Sequence, residues 1–420
     1  MSKELKLIPQ LRFPEFLNDG DWDGDSLVNI AKFRRGSFPQ PYGLPKWYDD
    51  ENGMPFIQVY DVGEDFRLKP KTKSKISKLG AKQSVFIKKG TVIITIQGSI
   101  GRVAITQYDA YIDRTLLLFE EFYNEIDKTF FAYILFLLFE IEKQKAPGGI
   151  IKTITKEVLS DFVISFPNPA EQKKIASCLF SLDELLAAHN DKLDALKKHK
   201  IGLMQNLFPQ DQEAVPKVRF PEFEDDGVWE AESLKNISRF RRGSFPQPYG
   251  LAQWYDDENG MPFIQVYDVD DNFRLKATTK RKISALAAEQ SVFIEKGTVI
   301  ITIQGSIGRV AITQYDAYID RTLLIFQEFY SDIDKTFFAY VLFLLFEIEK
   351  LKAPGGIIKT ITKEVLSDFL IKVPSIKEQQ KIASCLSDLD ELITAQTEKI
   401  EQIQKHKRGL MQGLFPKIES

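Results

Sequence analysis

Cysteine, histidine and long apolar runs are all scarce in this chain of 420 residues. The two cysteines, Cys178 and Cys385, each fall in an apolar pattern with helical spacing, which predicts buried, reduced thiols and a cytoplasmic protein. The most apolar run, residues 130–138, is much shorter than the ~20 residues that cross a bilayer. Residues 1–4 lack the apolar start of a secretory signal. We therefore expect neither a membrane partner nor secretion.

The chain also lacks a large excess of charge of either sign. Its net charge is −3 and its isoelectric point is about 5.9. The chain therefore has no overall positive charge that would indicate nucleic-acid binding. However, a basic face can be offset by acidic surface elsewhere. Composition therefore leaves nucleic-acid binding open.

Catalytic motifs are missing as well. Gly98-Ser99-Ile100-Gly101 lacks the lysine of a phosphate-binding loop and is more typical of a turn between strands. The three histidines, His189, His199 and His406, lie far in sequence from any nucleophile, and no His/Cys cluster has metal-ligand spacing. These absences predict a binding protein with no catalytic residues, no metal site and no cofactor of its own.

What the sequence does contain is an internal repeat. Residues 11–209 (repeat 1) recur as residues 218–416 (repeat 2), shifted by 207 positions. Between residues 33 and 161 we count roughly 18 substitutions, so the copies are about 85% identical there. A chain that carries one module twice can present one binding surface twice.

Each repeat begins with a strand-rich region that predicts a domain of mixed α+β class. Strand candidates rich in Ile, Val, Thr and aromatic residues span residues 55–62, 84–87, 91–97, 102–106 and 115–119. A helix is predicted over residues 128–144 with Asp127 as its N-cap. The predicted domains cover residues 1–167 and 210–374, and the predicted long helices cover residues 168–209 and 375–420.

The long helices carry a heptad pattern that is typical of a coiled coil. Their seam positions are Ile175, Leu179, Leu182, Leu186, Leu193 and Leu196 in repeat 1, and Ile382, Leu386, Leu389, Ile393, Ile400 and Ile403 in repeat 2. One such helix cannot bury its seam alone, so it packs either on its own domain or on the other long helix. In the second arrangement a pseudo-two-fold axis makes the pair antiparallel, and polar seam positions such as Lys200 and Lys407 help to fix its register.

Polar and aromatic side chains next to glycine form the candidate binding surface, because they are the types that reach base edges and phosphates. In repeat 1 they are Arg34, Arg35, Ser37, Gln40, Tyr42, Gln58, Tyr60, Gln97, Ser99, Arg102, Lys152 and Thr153. In repeat 2 they are Arg241, Arg242, Ser244, Gln247, Tyr249, Gln265, Tyr267, Gln304, Ser306, Arg309, Lys359 and Thr360. For any one of these arginines, the alternative to a binding role is a surface ion pair. For Tyr60, the alternative is an ordinary half-buried position in a sheet.

Differences between the copies narrow this set. Lys46, Lys71, Lys78, Lys82 and Lys88 become Gln253, Thr278, Ala285, Glu289 and Glu295. If both copies read the same ligand, those lysines do not read it. The candidate side chains are unchanged between the copies, whereas the long helices have diverged much further.

Several motifs together resemble the specificity subunit of Type I restriction-modification enzymes, over essentially the whole chain. They are Leu11-Arg12-Phe13-Pro14-Glu15-Phe16, Lys89-Gly90-Thr91-Val92, Gly98-Ser99-Ile100-Gly101-Arg102 and Glu171-Gln172-Lys173-Lys174-Ile175-Ala176, and each returns 207 residues later, with small changes in some. The resemblance implies two target-recognition domains and an antiparallel coiled coil. It also implies double-stranded DNA, two methyltransferase subunits and nuclease-translocase subunits as partners, with S-adenosylmethionine on the methyltransferase. Here, unlike the usual pattern, the two recognition domains are nearly the same.

Two functions remain open on the sequence. The first is a DNA-specificity subunit whose like domains read an interrupted palindrome, since two-fold symmetry in the protein is mirrored in its target. The second is a duplicated scaffold that holds two copies of a protein partner. An autonomous enzyme is disfavoured by the missing motifs.

Overall fold

A computed structural model describes residues 7–145, 159–160, 162–210, 213–270, 272–352 and 363–416. Two compact units emerge. Unit 1 comprises residues 1–191 with 399–420, and unit 2 comprises residues 192–398. Each unit therefore holds one strand-rich domain, part of its own long helix and part of the other repeat's long helix. The domain boundaries drawn from sequence stay a prediction.

Repeat 1 contains ten strands and four helices within the described residues. The strands are β1 Asp23–Ser26, β2 Ala31–Arg35, β3 Met54–Ile57, β4 Ser74–Ile76, β5 Val85–Ile87, β6 Val92–Thr95, β7 Val103–Ile105, β8 Ala110–Ile112, β9 Leu116–Phe122 and β10 Val163–Phe166. The helices are α1 Leu27–Ile30, α2 Lys78–Ala81, α3 Lys128–Lys145 and α4 Pro169–Leu207.

Repeat 2 reproduces the same order, with one further short helix described. Its strands are β11 Glu230–Ser233, β12 Ser238–Arg242, β13 Met261–Ile264, β14 Arg281–Ile283, β15 Val292–Ile294, β16 Val299–Thr302, β17 Val310–Ile312, β18 Ala317–Ile319, β19 Leu323–Phe329 and β20 Leu370–Val373. Its helices are α5 Leu234–Ile237, α6 Ala285–Ala288, α7 Lys335–Lys352, α8 Lys363–Ser367 and α9 Ile376–Leu414.

Each domain is built on two four-stranded sheets and a two-stranded ribbon. In repeat 1 the sheet orders are β2-β9-β6-β7 and β4-β3-β8-β5, and β1 pairs with β10. Strands β3 and β8 run parallel, while the other pairs are antiparallel. Repeat 2 has the same three sheets in the same order. The predicted α+β class is confirmed.

Helix α3 anchors the main core of unit 1. Its apolar face, including Phe130 and Phe139, is fully buried against strands β6, β7 and β9. The N-cap prediction for Asp127 is confirmed, since its Oδ1 accepts hydrogen bonds from the N–H groups of Thr129 and Phe130 at 2.9 Å each. Such a cap satisfies backbone donors that a helix start otherwise leaves unpaired.

Five of the described strands overlap the predicted ones, but the boundaries differ. The predicted strand over residues 55–62 was too long: β3 ends at Ile57, and Val59–Asp61 forms a turn of 3-10 helix. The turn forms because Asp61 Oδ2 accepts from the Gln58 backbone N–H at 2.8 Å, while Gln58 C=O accepts from the Asp61 N–H. Sequence periodicity also missed β1, β2, β4, β8 and β10, which are mostly too short to show alternation.

The long helices pair antiparallel inside each unit. In unit 1, Ile175 and Leu179 share a core with Met411 and Leu414, whereas Asp183, further along α4, binds Lys407, which lies earlier in α9. Unit 2 repeats this with Met204 against Ile382 and with Lys200 bound to Asp390. The predicted antiparallel pairing is confirmed. Helix α4 also packs on its own domain, since Ile175 and Leu179 belong to the same core as α3.

Most of the predicted seam is buried. Four positions stay partly exposed: Leu182, Leu186, Leu193 and Leu196. Leu186 lines a cavity of about 1020 Å³ in unit 1, together with Gly101, Arg102 and Lys407, which explains its exposure. The seam thus has open stretches that a uniform heptad pattern does not indicate.

No helix in the described part of the chain is both long enough and apolar enough to span a membrane.

Candidate nucleic-acid interface

A glutamine held between two tyrosines marks the candidate surface of repeat 1. Gln58 directly follows β3, and its Nε2 donates to the Tyr42 hydroxyl at 2.9 Å. The Tyr60 hydroxyl donates to Gln58 Oε1. Gln58 is only 7% exposed, while Tyr42 and Tyr60 are 47% and 38% exposed. The three side chains, called here the Tyr–Gln–Tyr cluster, place a nearly buried amide between two partly exposed aromatic rings.

Repeat 2 carries the same cluster, made of Gln265, Tyr249 and Tyr267. Gln265 Nε2 donates to the Tyr249 hydroxyl, and the Tyr267 hydroxyl donates to Gln265 Oε1. Its tyrosines are exposed to nearly the same extent as their equivalents in repeat 1. The predicted residues from two separate loops therefore make the same two hydrogen bonds in both units, although Gln265 is half-buried where Gln58 is buried.

Cations flank the rings of each cluster. In repeat 1 the Arg114 guanidinium lies 5.6 Å from the Tyr42 ring centroid, and Lys73 Nζ lies 4.9 Å from that of Tyr60. Arg321 and Lys280 occupy the same places in repeat 2, at 5.7 and 4.9 Å. Aromatic faces attract such cations, which stay close enough to the surface to contact phosphate.

A buried carboxylate lies behind the tyrosines. Asp113 Oδ1 accepts from the backbone N–H and the hydroxyl of Thr115 at 2.9 and 2.6 Å. Its Oδ2 is buried without a hydrogen-bond partner among the described residues. In repeat 2 the equivalent Asp320 Oδ2 accepts from the Tyr249 hydroxyl at 3.3 Å.

The tyrosines are uncharged hydrogen-bonding groups at neutral pH. Burial raises the pKa of Tyr42 and of Tyr60 above the ordinary value of 10.0, and raises that of Tyr267 to about 12. A neutral phenol both donates and accepts. The clusters therefore present no anionic tyrosine on the exposed face.

The predicted arginines occupy other positions. Arg34 and Arg35 lie on β2 rather than in a loop, and Arg34 Nε pairs with Glu120 Oε1 at 2.5 Å. The Arg102 guanidinium pairs with Glu64 Oε1 at 2.7 Å. Both pairs are substantially exposed, so each contributes little to stability and can be exchanged for a phosphate contact. No ion pair or hydrogen bond among the described residues engages the exposed Arg35 side chain.

Repeat 2 alters the first of these pairs. Gln327 stands where repeat 1 has Glu120, so Arg241 lacks that carboxylate and instead donates from Nε to the Arg242 carbonyl at 3.2 Å. Arg309 donates to the Val269 carbonyl at 3.2 Å. Arg242, like Arg35, is exposed at the end of its strand.

The remaining candidates are spread more widely. The Ser37 and Ser244 hydroxyls donate to the carbonyls of Gln83 and Gln290 at 3.0 Å, which ties them to their own domains. Gln40, Gln247, Ser99 and Ser306 are exposed, and Gln97 and Gln304 are half-buried. Lys152, Thr153, Lys359 and Thr360 lie outside the described residues.

Sequence reasoning missed Arg114, Lys73 and their equivalents Arg321 and Lys280. A usable signal was present, because Asp113-Arg114-Thr115 returns unchanged as Asp320-Arg321-Thr322. These cations do not lie next to glycine, which is the feature that marked the other candidates.

No group of three or more His, Cys, Asp or Glu side chains is placed to hold a metal ion anywhere in the described ranges.

Comparison with known proteins places these features in a family. The model of the Type I restriction modification DNA specificity domain matches residues 30–198 and 229–405. The Type I restriction enzyme MjaVIII specificity subunit of Methanocaldococcus jannaschii is 24% identical over 434 residues, which covers 99% of this chain and 95% of that relative.

Solved structures agree on the fold. The crystal structure of a Type I restriction-modification S subunit from M. genitalium has a TM-score of 0.62 at 17% identity, covering 98% of this chain and 100% of that one. A chain from a study of complex assembly and conformational transition of the type I R-M system has a TM-score of 0.56 at 16% identity, covering 94% and 97%. With two matches to the family model that together span most of its length, this chain belongs to the family of Type I restriction-modification DNA specificity subunits.

Proposed function

We propose that this chain recognises one DNA half-site twice, in inverted orientation, and directs partner subunits to an interrupted palindrome. The observation that carries the proposal is the presence of the same Tyr–Gln–Tyr cluster, with the same two flanking cations, in both units. Equivalent side chains in equivalent surroundings select equivalent bases. A palindromic target follows if the two domains are related by a two-fold axis.

The partners in this proposal are double-stranded DNA, two methyltransferase subunits and nuclease-translocase subunits. Specificity subunits supply recognition and not catalysis, so adenine methylation with S-adenosylmethionine belongs to the methyltransferase. The half-site centres are expected to lie about one turn of DNA apart, ~34 Å.

Binding to duplex DNA tests the proposal against the scaffold alternative. We expect the chain with its methyltransferase to bind a randomised duplex pool with an affinity that falls steeply as salt rises, because phosphate contacts release counterions. Replacing Arg35 and Arg242 together by alanine is expected to weaken binding across all sequences. It should also reduce the slope of log K against log salt by about 2, roughly one for each lost phosphate contact.

Lys88→Ala is the matched control, because repeat 2 carries Glu295 at that position and cannot use a lysine there. It is expected to leave affinity and salt slope nearly unchanged. A wild-type chain whose partner binding is normal but whose DNA affinity does not depend on salt would support the scaffold. Equal effects of the arginine and lysine variants would reject the phosphate role of Arg35 and Arg242.

A further inference from the structure

The Gln58 amide is fixed in place before any ligand arrives. Its N–H₂ group has two hydrogens and its carbonyl has two lone pairs. Tyr42 takes one hydrogen, and Tyr60 occupies one lone pair. One hydrogen of the amide therefore remains uncommitted within the described residues, while its carbonyl oxygen also faces the Asp61 N–H across the turn. The Gln265 amide is held in the same way by Tyr249 and Tyr267.

The backbone beneath the amide is fixed as well. The Asp61 carboxylate accepts from the Gln58 N–H through Oδ2 at 2.8 Å and from the Lys73 N–H through Oδ1 at 2.9 Å. A single buried carboxylate thus holds in place both the backbone of Gln58 and the segment that carries the flanking cation Lys73. Asp268 does the same for Gln265 and Lys280, at 2.8 Å each. A side chain held this firmly loses little entropy when it binds, which favours discrimination.

The surroundings distinguish a base edge from a phosphate as the ligand of this amide. Gln58 is nearly buried between two half-exposed rings, and the exposed cations Arg114 and Lys73 lie over those rings. Phosphates are bound by exposed cations of this kind, whereas a neutral amide that still offers a hydrogen matches an acceptor on a base edge. Among the bases, adenine presents N7 as acceptor and N6 as donor, and glutamine is its usual partner.

The copies also vary around the cluster. Lys71 becomes Thr278 and Ser74 becomes Arg281, on segments beside Tyr60 and Tyr267. In repeat 2 the Arg281 guanidinium lies 3.8 Å from the Tyr255 ring centroid, a contact that repeat 1 lacks. The glutamine, both tyrosines and both flanking cations stay the same through these changes.

We infer that Gln58 and Gln265 are the base-reading residues of the two half-sites and that each reads an adenine. This inference rests on the proposed DNA-recognition function and deepens it. Tyr42, Tyr60, Tyr249 and Tyr267 act as positioning residues that hold the amides. The flanking arginine and lysine of each copy contact the phosphates on either side of the base that is read.

The test uses the full chain assembled with its methyltransferase and a randomised duplex library, sequenced after selection by binding. Gln58→Glu replaces the amide donor by an acceptor and is expected to redirect one position of one half-site from adenine towards cytosine. Gln265→Glu should change the mirror position only, and the double variant should change both. The loss for the original base pair is expected to be about 5- to 150-fold per half-site.

Two further variants keep the result interpretable. Lys88→Glu copies the residue of repeat 2 into repeat 1 and is expected to leave the selected motif unchanged. Tyr42→Phe keeps the Gln58 amide but removes one of the two tyrosine hydroxyls that hold it. It should weaken the preference for adenine at the same position by a smaller factor than Gln58→Glu does. A motif unaltered by the double glutamate variant overturns the inference, as does a uniform loss of affinity over all sequences. Either result is compatible with salt-dependent DNA binding by the unaltered chain. If the unaltered chain shows no salt-dependent DNA binding, the proposed function itself is refuted.

Discussion

Replacing Asp390 by alanine is expected to lower the free energy of unfolding of unit 2 by about 3–5 kcal/mol, because it leaves a buried ammonium without its counter-charge. Lys200 Nζ binds Asp390 Oδ1 at 2.5 Å, with the side chains 13% and 15% exposed. The Tyr340 hydroxyl donates to the other carboxylate oxygen at 2.6 Å. Burial lowers the pKa of Lys200 more than Asp390 raises it, so the charged lysine is already costly.

Urea denaturation measures this loss of unfolding free energy, and three further variants provide comparisons. Lys200→Met with Asp390→Ala is expected to recover much of the stability, since removing both charges of a buried pair is often nearly neutral. Asp183→Ala removes the equivalent partner of Lys407 and should destabilise unit 1 similarly. Asp368→Ala breaks an exposed pair with Lys235, 74% and 58% exposed, and should cost less than 1 kcal/mol. An Asp390→Ala chain as stable as the Asp368→Ala chain would contradict the account of the seam.

Phe415→Ala is expected to destabilise unit 1 by about 3–5 kcal/mol, as large-to-small changes of buried aromatic residues do. Phe415 is 3% exposed, and its ring centroid lies 5.4 Å from Phe130 and 6.1 Å from Trp22. The adjoining Gly413 carbonyl accepts a hydrogen bond from the Leu11 N–H at 2.8 Å. The end of repeat 2 is therefore part of the core that holds the first domain.

Hydrogen exchange measured by mass spectrometry shows which part of unit 1 loses stability in this variant. Amides of α3, which packs on Phe415, should exchange faster in the Phe415→Ala chain. Phe208→Ala is the matched variant, because Phe208 lies 5.4 Å from Phe337 and 6.2 Å from Trp229 in unit 2, and it should accelerate exchange in α7. Unchanged exchange in α3 would show that the contact seen around Phe415 does not stabilise the domain.

The sequence predicted the long helices well because a heptad pattern repeats over many turns and is insensitive to small errors. It also singled out Lys200 and Lys407 as polar residues in an apolar seam. Their partners Asp390 and Asp183 could not be assigned, since each lies on the other long helix, 190 and 224 residues away in sequence. Short strands such as β8 were missed because three residues carry too little alternation to be recognised.

The candidate site was predicted in part. Tyr42, Gln58 and Tyr60 were selected from two loops, but their mutual hydrogen bonds depend on the turn at Val59–Asp61. Hydrogen bonds between Gln58 and Asp61 close that turn, and the Lys73 N–H supports it from a separate segment. Arg114 and Lys73 were missed because their position over the tyrosine rings is a property of the folded sheet and not of local composition. The binding role of each candidate remains a prediction.

Sequencing the methylated motif in cells that carry this chain with its methyltransferase tests the central claim most directly. Two nearly identical domains that read one half-site in inverted orientation predict an interrupted palindrome, with methylated adenines in identical, inverted halves around an unread spacer. A bipartite motif with two different halves would contradict the account.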